Sequence, residues 1–136
     1  MKQLVRVGTI YIPVGNVQKA TEWYQKILNG EVNYQDEDKA ILNLANMSIF
    51  LVGSSEGESS NFQDRFNKKR FSLTFEVDGL GELEELREDL LMKGVQAGEI
   101  EDRGHRGRNF IFPDRDGNLF DVWSELSPQY KKAYNL

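Results

Sequence analysis

At 136 residues, with 39% hydrophobic and 29% charged residues, the chain has the size and composition of one compact globular domain. It has no cysteine, which excludes disulfides, thiolate metal sites and cysteine nucleophiles. A net charge of −5 argues against nucleic acid, whose binders need a cationic face, and no stretch is long and apolar enough to span a bilayer.

In chain order, residues 4–14 alternate Val, Ile and Tyr with less apolar types, as a half-buried strand does. Asn16 then reads as the N-cap of a helix whose apolar positions are Val17, Ala20, Trp23, Tyr24, Ile27 and Leu28, with Gly30 expected as its left-handed stop. Three short strands are expected at 31–34, 40–44 and 47–52, which makes the first unit βαβββ. Residues 53–69 are rich in Ser, Glu, Gly, Asn and Lys and read as a linker loop. Phe62 and Phe66 interrupt it and suggest a segment that packs like a lid.

About 63 positions after the first unit the pattern returns. A strand over 70–77 leads through Asp78-Gly79 to a helix with Leu80, Leu83, Leu86 and Leu90 on its apolar face, closed by Gly94. Strands are expected near 95–100, 109–112 and 118–124, the last preceded by the turn sequence Pro113–Asn118. Residues 125–136 form a polar tail, with Ser127-Pro128 able to open one short helix. The chain thus divides into a first module of about 4–52, the linker 53–69, a second module of about 70–124, and the tail.

Strand alternation sorts the side chains. Ile10, Ile12 and Val14, and likewise Phe71, Leu73, Phe75 and Val77, are assigned to the helix-facing side. Thr9, Tyr11, Ser48, Phe50, Val52, Ser72, Thr74, Glu76, Leu119, Asp121 and Trp123 fall on the other face. That face is too polar for a plain core and too aromatic for a plain surface, the mixture a small-molecule pocket uses. Glu76 and Asp121 there could serve a cationic ligand or pair with Arg106 or Arg108, and for a Glu76 that faces the cavity Arg108 is the preferred partner, because a buried carboxylate needs compensation.

The doubled βαβββ pattern, with the segments VGNVQKATEWYQKILNGE and NFIFPDRDGNLFDVW, resembles the glyoxalase/bleomycin-resistance/ring-cleaving dioxygenase (vicinal oxygen chelate) superfamily from about Val5 to Trp123. The closing Asp114-Arg115-Asp116-Gly117-Asn118 is similar to that family's Asp-Pro-Asp-Gly-Asn ending, with Arg115 in place of proline. The resemblance implies an α+β fold, two tandem modules forming a curved mixed sheet around a pocket with helices outside. It also implies homodimers, in some relatives with exchanged halves.

In metal-dependent relatives, inward His or Glu side chains hold a divalent ion; carried over, their positions fall on Thr9, Phe50, Ser72 and Asp121. Only Asp121 is a competent ligand, so no metal and no cofactor are expected. Three readings follow. The first is metal-free binding of a small organic ligand in the inter-module pocket, like the bleomycin-resistance proteins, by a cytoplasmic homodimer. The second is an enzyme, a glyoxalase-type lyase or a dioxygenase relative, using an atypical metal site or acid–base chemistry by the only histidine, His105, with Glu76 and Asp121. The third is a non-catalytic interaction module. The pocket residues expected are Thr9, Tyr11, Ser48, Phe50, Ser72, Thr74, Glu76, Arg108, Asp121 and Trp123.

Overall fold

The computed structural model describes residues 1–136, which form two compact units, 1–60 and 61–136. In the first unit β1 (Thr9–Val14) leads to α1 (Val17–Leu28), followed by β2 (Glu31–Gln35), β3 (Lys39–Leu44) and β4 (Met47–Gly53). The sheet order is β1-β4-β3-β2. β1 runs parallel to β4, while β3 is antiparallel to both β4 and β2. Asn16 caps α1 as expected, its side-chain oxygen accepting the Lys19 amide at 2.9 Å.

The helix stop lies one residue earlier than the sequence pattern suggested. Asn29 takes the left-handed conformation (φ 59°), and its amide donates to the Tyr24 carbonyl. Gly30 serves space instead: a Cβ there would lie 3.0 Å from Leu42 Cδ2 and 3.3 Å from the Tyr24 carbonyl oxygen. Ile12, Val14, Ala40, Leu42, Ile49 and Leu51 bury the sheet face beneath Val17, Ala20 and Tyr24. The first strand begins at Thr9 rather than at residue 4. Leu4 and Val5 are 99% and 95% exposed, since no strand of this sheet lies beside them.

In the second unit the linker is more ordered than expected. β5 (Phe62–Gln63) and β6 (Lys69–Arg70) make a small hairpin. Its turn is organised by Asp64, whose carboxylate accepts the Phe66 and Lys68 amides. β7 (Thr74–Glu76), α2 (Leu80–Met92), β8 (Asn109–Pro113) and β9 (Leu119–Trp123) follow, with sheet order β7-β9-β8. As in the first unit, the opening strand is parallel to the last and the last is antiparallel to its predecessor. The duplication read from the sequence is therefore a duplication of topology.

One strand of the second unit is reduced. Residues 95–100 contribute only the Gly98 amide to the Ile111 carbonyl (2.7 Å), before an isolated Glu101–Asn109 bridge. The run Gln96-Ala97-Gly98-Glu99 has little of the β-branched or aromatic content that strands favour. Phe75, Phe110, Phe112 and Phe120 form the aromatic part of the core, with ring centroids 5.5–6.4 Å apart. Burial of each such ring contributes about 1.5–3 kcal/mol. Before β9, Asp114 accepts the Asp116 and Asn118 amides and the Asn118 side chain, so the turn closes on its own acid. The tail carries α3 (Pro128–Ala133), with Pro128 in its first turn. No helix is long and apolar enough to cross a membrane.

Two carboxylates titrate abnormally low. Lys39 Nζ, the Asp38 amide and the Tyr34 hydroxyl hold Asp36 well below the carboxylate range, and the Lys68 and Phe66 amides lower Asp64. A group with a depressed folded-state pKa contributes stability above its unfolded pKa, near about 4, and loses it as pH falls through the folded value. Asp36→Asn is therefore expected to lower Tm at about pH 6 and to flatten the acid limb of a Tm-against-pH profile below about pH 4. An acid limb unchanged from wild type would show that Asp36 carries none of it.

Candidate functional site

The polar face of the second sheet is built around one buried acid. Asp121, on β9 and only 2% exposed, lies opposite Thr74 of the parallel β7 and Ile111 of the antiparallel β8. Its Oδ2 accepts from Thr74 Oγ1 at 3.0 Å and from Asn109 Nδ2 at 2.9 Å. Its Oδ1 lies 3.0 Å from Arg103 Nη2, which also donates to Glu101 Oε2 at 3.1 Å. Burial works against the charge on Arg103, but the bonds to Glu101 and Asp121 outweigh it and hold its pKa above the ordinary guanidinium value. The guanidinium also rests 5.7 Å from the centre of the Phe71 ring.

Around this pair a cavity of about 560 Å³ is lined by Phe71, Thr74, Glu76, Arg103, His105, Arg106, Asn109, Asp121 and Trp123. Five sequence-derived candidates thus come together: Thr74, Glu76, His105, Asp121 and Trp123. Four others, Thr9, Tyr11, Ser48 and Phe50, share one face of β1 and β4 in the first unit. There Thr9 is in register with Ser48 and Tyr11 with Phe50, the two rings 4.9 Å apart. Ser72 is exposed just ahead of β7 and does not line the cavity.

Arg108 is not the partner of Glu76. Its Nη2 faces Asp102 at 3.6 Å, and its amide donates to Ser124 Oγ. Glu76 Oε1 instead accepts the Ser127 amide at 2.8 Å, fastening the start of the tail. Phe71, expected to face the helix, lines the cavity because β7 starts only at Thr74 and strand alternation does not extend back to it. Besides Phe71, three lining residues escaped the sequence reading. Arg103 and Arg106 lie between the expected strands 95–100 and 109–112, where alternation assigns no face, and Asn109 was counted only as the start of a strand. The one local signal was the pair of glycines flanking His105 and Arg106.

His105 makes no bond to Glu76 or Asp121. Its Nδ1 is 2.8 Å from the Arg106 carbonyl, and its ring meets Trp123 edge-on, 6.0 Å between centroids. A carbonyl only accepts, so Nδ1 carries the proton and Nε2 is the free base of the neutral ring. Trp123 Nε1 donates to that same carbonyl at 2.8 Å.

The donor set does not fit the cation that metal-dependent relatives hold. Thr9, Phe50 and Ser72 offer no His or carboxylate, and both oxygens of Asp121 already face donors. No three His, Asp or Glu side chains group closely enough to bind an ion. A larger depression of about 890 Å³ at the start of α1 is lined by polar groups such as Asn16, Gln35 and Ser54. The carboxylate of Asp36 there is spent on Tyr34, Asp38 and Lys39.

Residues 5–122 match the sequence model of the glyoxalase/bleomycin resistance protein/dioxygenase superfamily. Among solved structures, an integron cassette protein from the Halifax Harbour sewage outfall metagenome is similar at TM-score 0.72 and 19% identity, over 90% of this chain and 100% of that one. Lactoylglutathione lyase from Agrobacterium tumefaciens aligns at TM-score 0.71 and 13% identity, over 90% and 95%. The fosfomycin resistance protein FosX from Listeria monocytogenes aligns at TM-score 0.70 and 20% identity, over 95% and 98%. At these identities the likeness is one of fold. Among curated proteins no sequence matches significantly.

The cavity wall turns on Gly107. Its φ is +79°, and a Cβ there would lie 2.7 Å from Trp123 Nε1 and 2.8 Å from Ser124 Oγ. Gly107→Ala therefore combines a left-handed backbone with a steric clash and is expected to cost about 2–4 kcal/mol. Urea unfolding checks this; a loss below about 0.5 kcal/mol would show that the loop relaxes freely.

Proposed function

The chain belongs to the glyoxalase/bleomycin resistance protein/dioxygenase superfamily, and we propose that it binds a small organic ligand without a metal, in the cavity on the β7–β9–β8 face. The observation that carries this reading is the state of Asp121. The one carboxylate at a family ligand position is ion-paired with Arg103 through Oδ1 and accepts hydrogen bonds from Thr74 and Asn109 at Oδ2, so a metal would have to compete with a cation already in place. The cavity left beside it has an aromatic wall (Phe71, Trp123) and a few converging polar groups, the usual makeup of a small-ligand site. A cytoplasmic location is part of the same proposal.

The named relatives include enzymes, a lactoylglutathione lyase and a fosfomycin resistance protein. Acid–base work by His105 has less support, because its ring is bonded to the loop backbone rather than to Glu76 or Asp121. Ligand binding by EDTA-treated protein tests the proposal. A ligand at a hundredfold over its Kd is expected to raise Tm by roughly 10 °C, and Trp123→Phe to shrink the shift. Tightly held stoichiometric metal, or no shift across a chemically broad panel, would defeat it.

We also propose a homodimer. Leu4, Val5 and Val7 are 99%, 95% and 67% exposed just ahead of β1, an edge strand of its sheet, and Tyr11 on that strand is 64% exposed. An apolar strand edge of this kind is a template for pairing with another chain. Light scattering is expected to return twice the chain mass, and Leu4→Lys with Val5→Lys to return the single mass. A wild-type monomer at micromolar concentration would overturn the assignment.

A further inference from the structure

The cavity wall holds two buried acceptors without a donor. Asn109, 3% exposed, turns its amide nitrogen to Asp121 Oδ2 at 2.9 Å, and its Oδ1, on the other branch of the amide, accepts nothing. That orientation is fixed, because the reverse one would set two oxygens against each other. Asp121 Oδ1 lies 3.0 Å from Arg103 Nη2 as an ion pair, yet the contact is not aligned as a hydrogen bond, and this oxygen too is buried without one. Folded proteins bond nearly all their buried acceptors, so two unfilled in one wall call for an explanation. The charges around them are already matched: Arg103 meets Asp121 and Glu101, and Arg106 meets Glu125. Arg103 engages both of its acids through Nη2, so what it has left is a single N–H at a time rather than a paired edge.

From these contacts we infer that the cavity takes a neutral primary carboxamide on a flat apolar body. Its two N–H hydrogens go to Asn109 Oδ1 and Asp121 Oδ1, its carbonyl accepts one N–H of Arg103, and its body lies along Trp123 and Phe71. The inference rests on the ligand-binding reading above and adds the ligand's chemical class. Asn109 and Arg103 touch the same carboxylate, at Oδ2 and Oδ1, so the unfilled acceptors and the remaining N–H belong to one end of the cavity. Both acceptors are closed to solvent, and the ligand reaches them as the Arg103 side chain, 24% exposed and held at one nitrogen, moves aside. No water has to leave either oxygen when its bond forms, so little of the bond's strength is lost to solvent competition. Other polar groups match less well. A carboxylate would set its oxygens against two oxygens that already lack donors. An amidinium brings donors but places a second cation beside the Arg103 guanidinium. A hydroxyl fills one acceptor and leaves the other empty.

The test uses molecules of one shape: benzamide, acetophenone, benzoate and benzamidinium. Each is titrated into the EDTA-treated 136-residue chain and followed by the NMR signal of the Trp123 indole N–H, assigned with Trp23→Phe. Benzamide is expected to bind saturably and about tenfold more tightly than acetophenone, which keeps the carbonyl and carries methyl in place of NH2. Benzoate and benzamidinium are expected to bind at least about tenfold more weakly than benzamide. Asn109→Ala is expected to weaken benzamide about fivefold and to change acetophenone less than about twofold; if that variant does not fold, the wild-type comparison decides alone. Equal binding of acetophenone would overturn the carboxamide assignment and leave the ligand pocket standing, as would equal or tighter binding of benzoate or benzamidinium. An undiminished preference for benzamide in folded Asn109→Ala would likewise overturn it. No binding by any of the probes would overturn it too, while a melting shift with another ligand would keep the pocket. Binding only after a divalent ion is added would overturn both readings.

Discussion

A carboxylate that is 2% exposed is costly to bury unless donors meet it, and the second unit is arranged around that demand. Asp121 draws one donor from β7 (Thr74), one from β8 (Asn109) and one from the loop ahead of β8 (Arg103). Removing any of the three would leave buried charge or polarity without its complement. The cost of burying the pair against its mutual attraction is close to balanced in general, so its main effect is positional. It fixes which way three separate segments face, and the cavity is the space they leave.

The two units show how the same topology can be put to different use. Tyr11 and Phe50 are in register across the parallel strands of the first sheet, as Thr74 and Asp121 are across those of the second. In one unit the rung is a pair of rings 4.9 Å apart; in the other it is a hydroxyl bonded to an ion-paired acid. Backbone pairing, set by hydrogen bonds and a buried apolar face, tolerates both. Chemistry on the other face is therefore free to differ, and solved structures at 13–20% identity share the scaffold without thereby sharing a reaction.

What could be read from sequence follows the same division. Helix faces repeat every three to four residues and strand faces every two, so α1, α2, β3, β4, β8 and β9 were legible, and with them the placement of Thr74, Glu76, Asp121 and Trp123 along one cavity. Arg103 was not, because its contact with Asp121 joins residues 18 positions apart through a loop that has no period. Arg108 was assigned to Glu76 by charge alone, yet Asp102 is the carboxylate it faces and the tail amide takes Glu76. Strand ends failed for a related reason: alternation continues through 4–8 and 71–73, but a strand exists only where another strand accepts its hydrogen bonds.

The loop that carries Arg103 is itself positioned by the cavity wall. Gly104 and Gly107 adopt φ of +86° and +79°, turning the chain back toward β9. Between them the Arg106 carbonyl accepts both Trp123 Nε1 and His105 Nδ1, each at 2.8 Å, which engages both of its lone pairs. Trp123 thus anchors the loop through its nitrogen while its ring meets His105, and Asp121, two residues earlier on β9, holds the loop's other end through Arg103. Residues 121 and 123 point to the same side of the strand because the side-chain period is two. One short stretch of β9 therefore sets both the acid that neutralises the site and the ring that orders its rim, and a register slip of a single residue would lose both together.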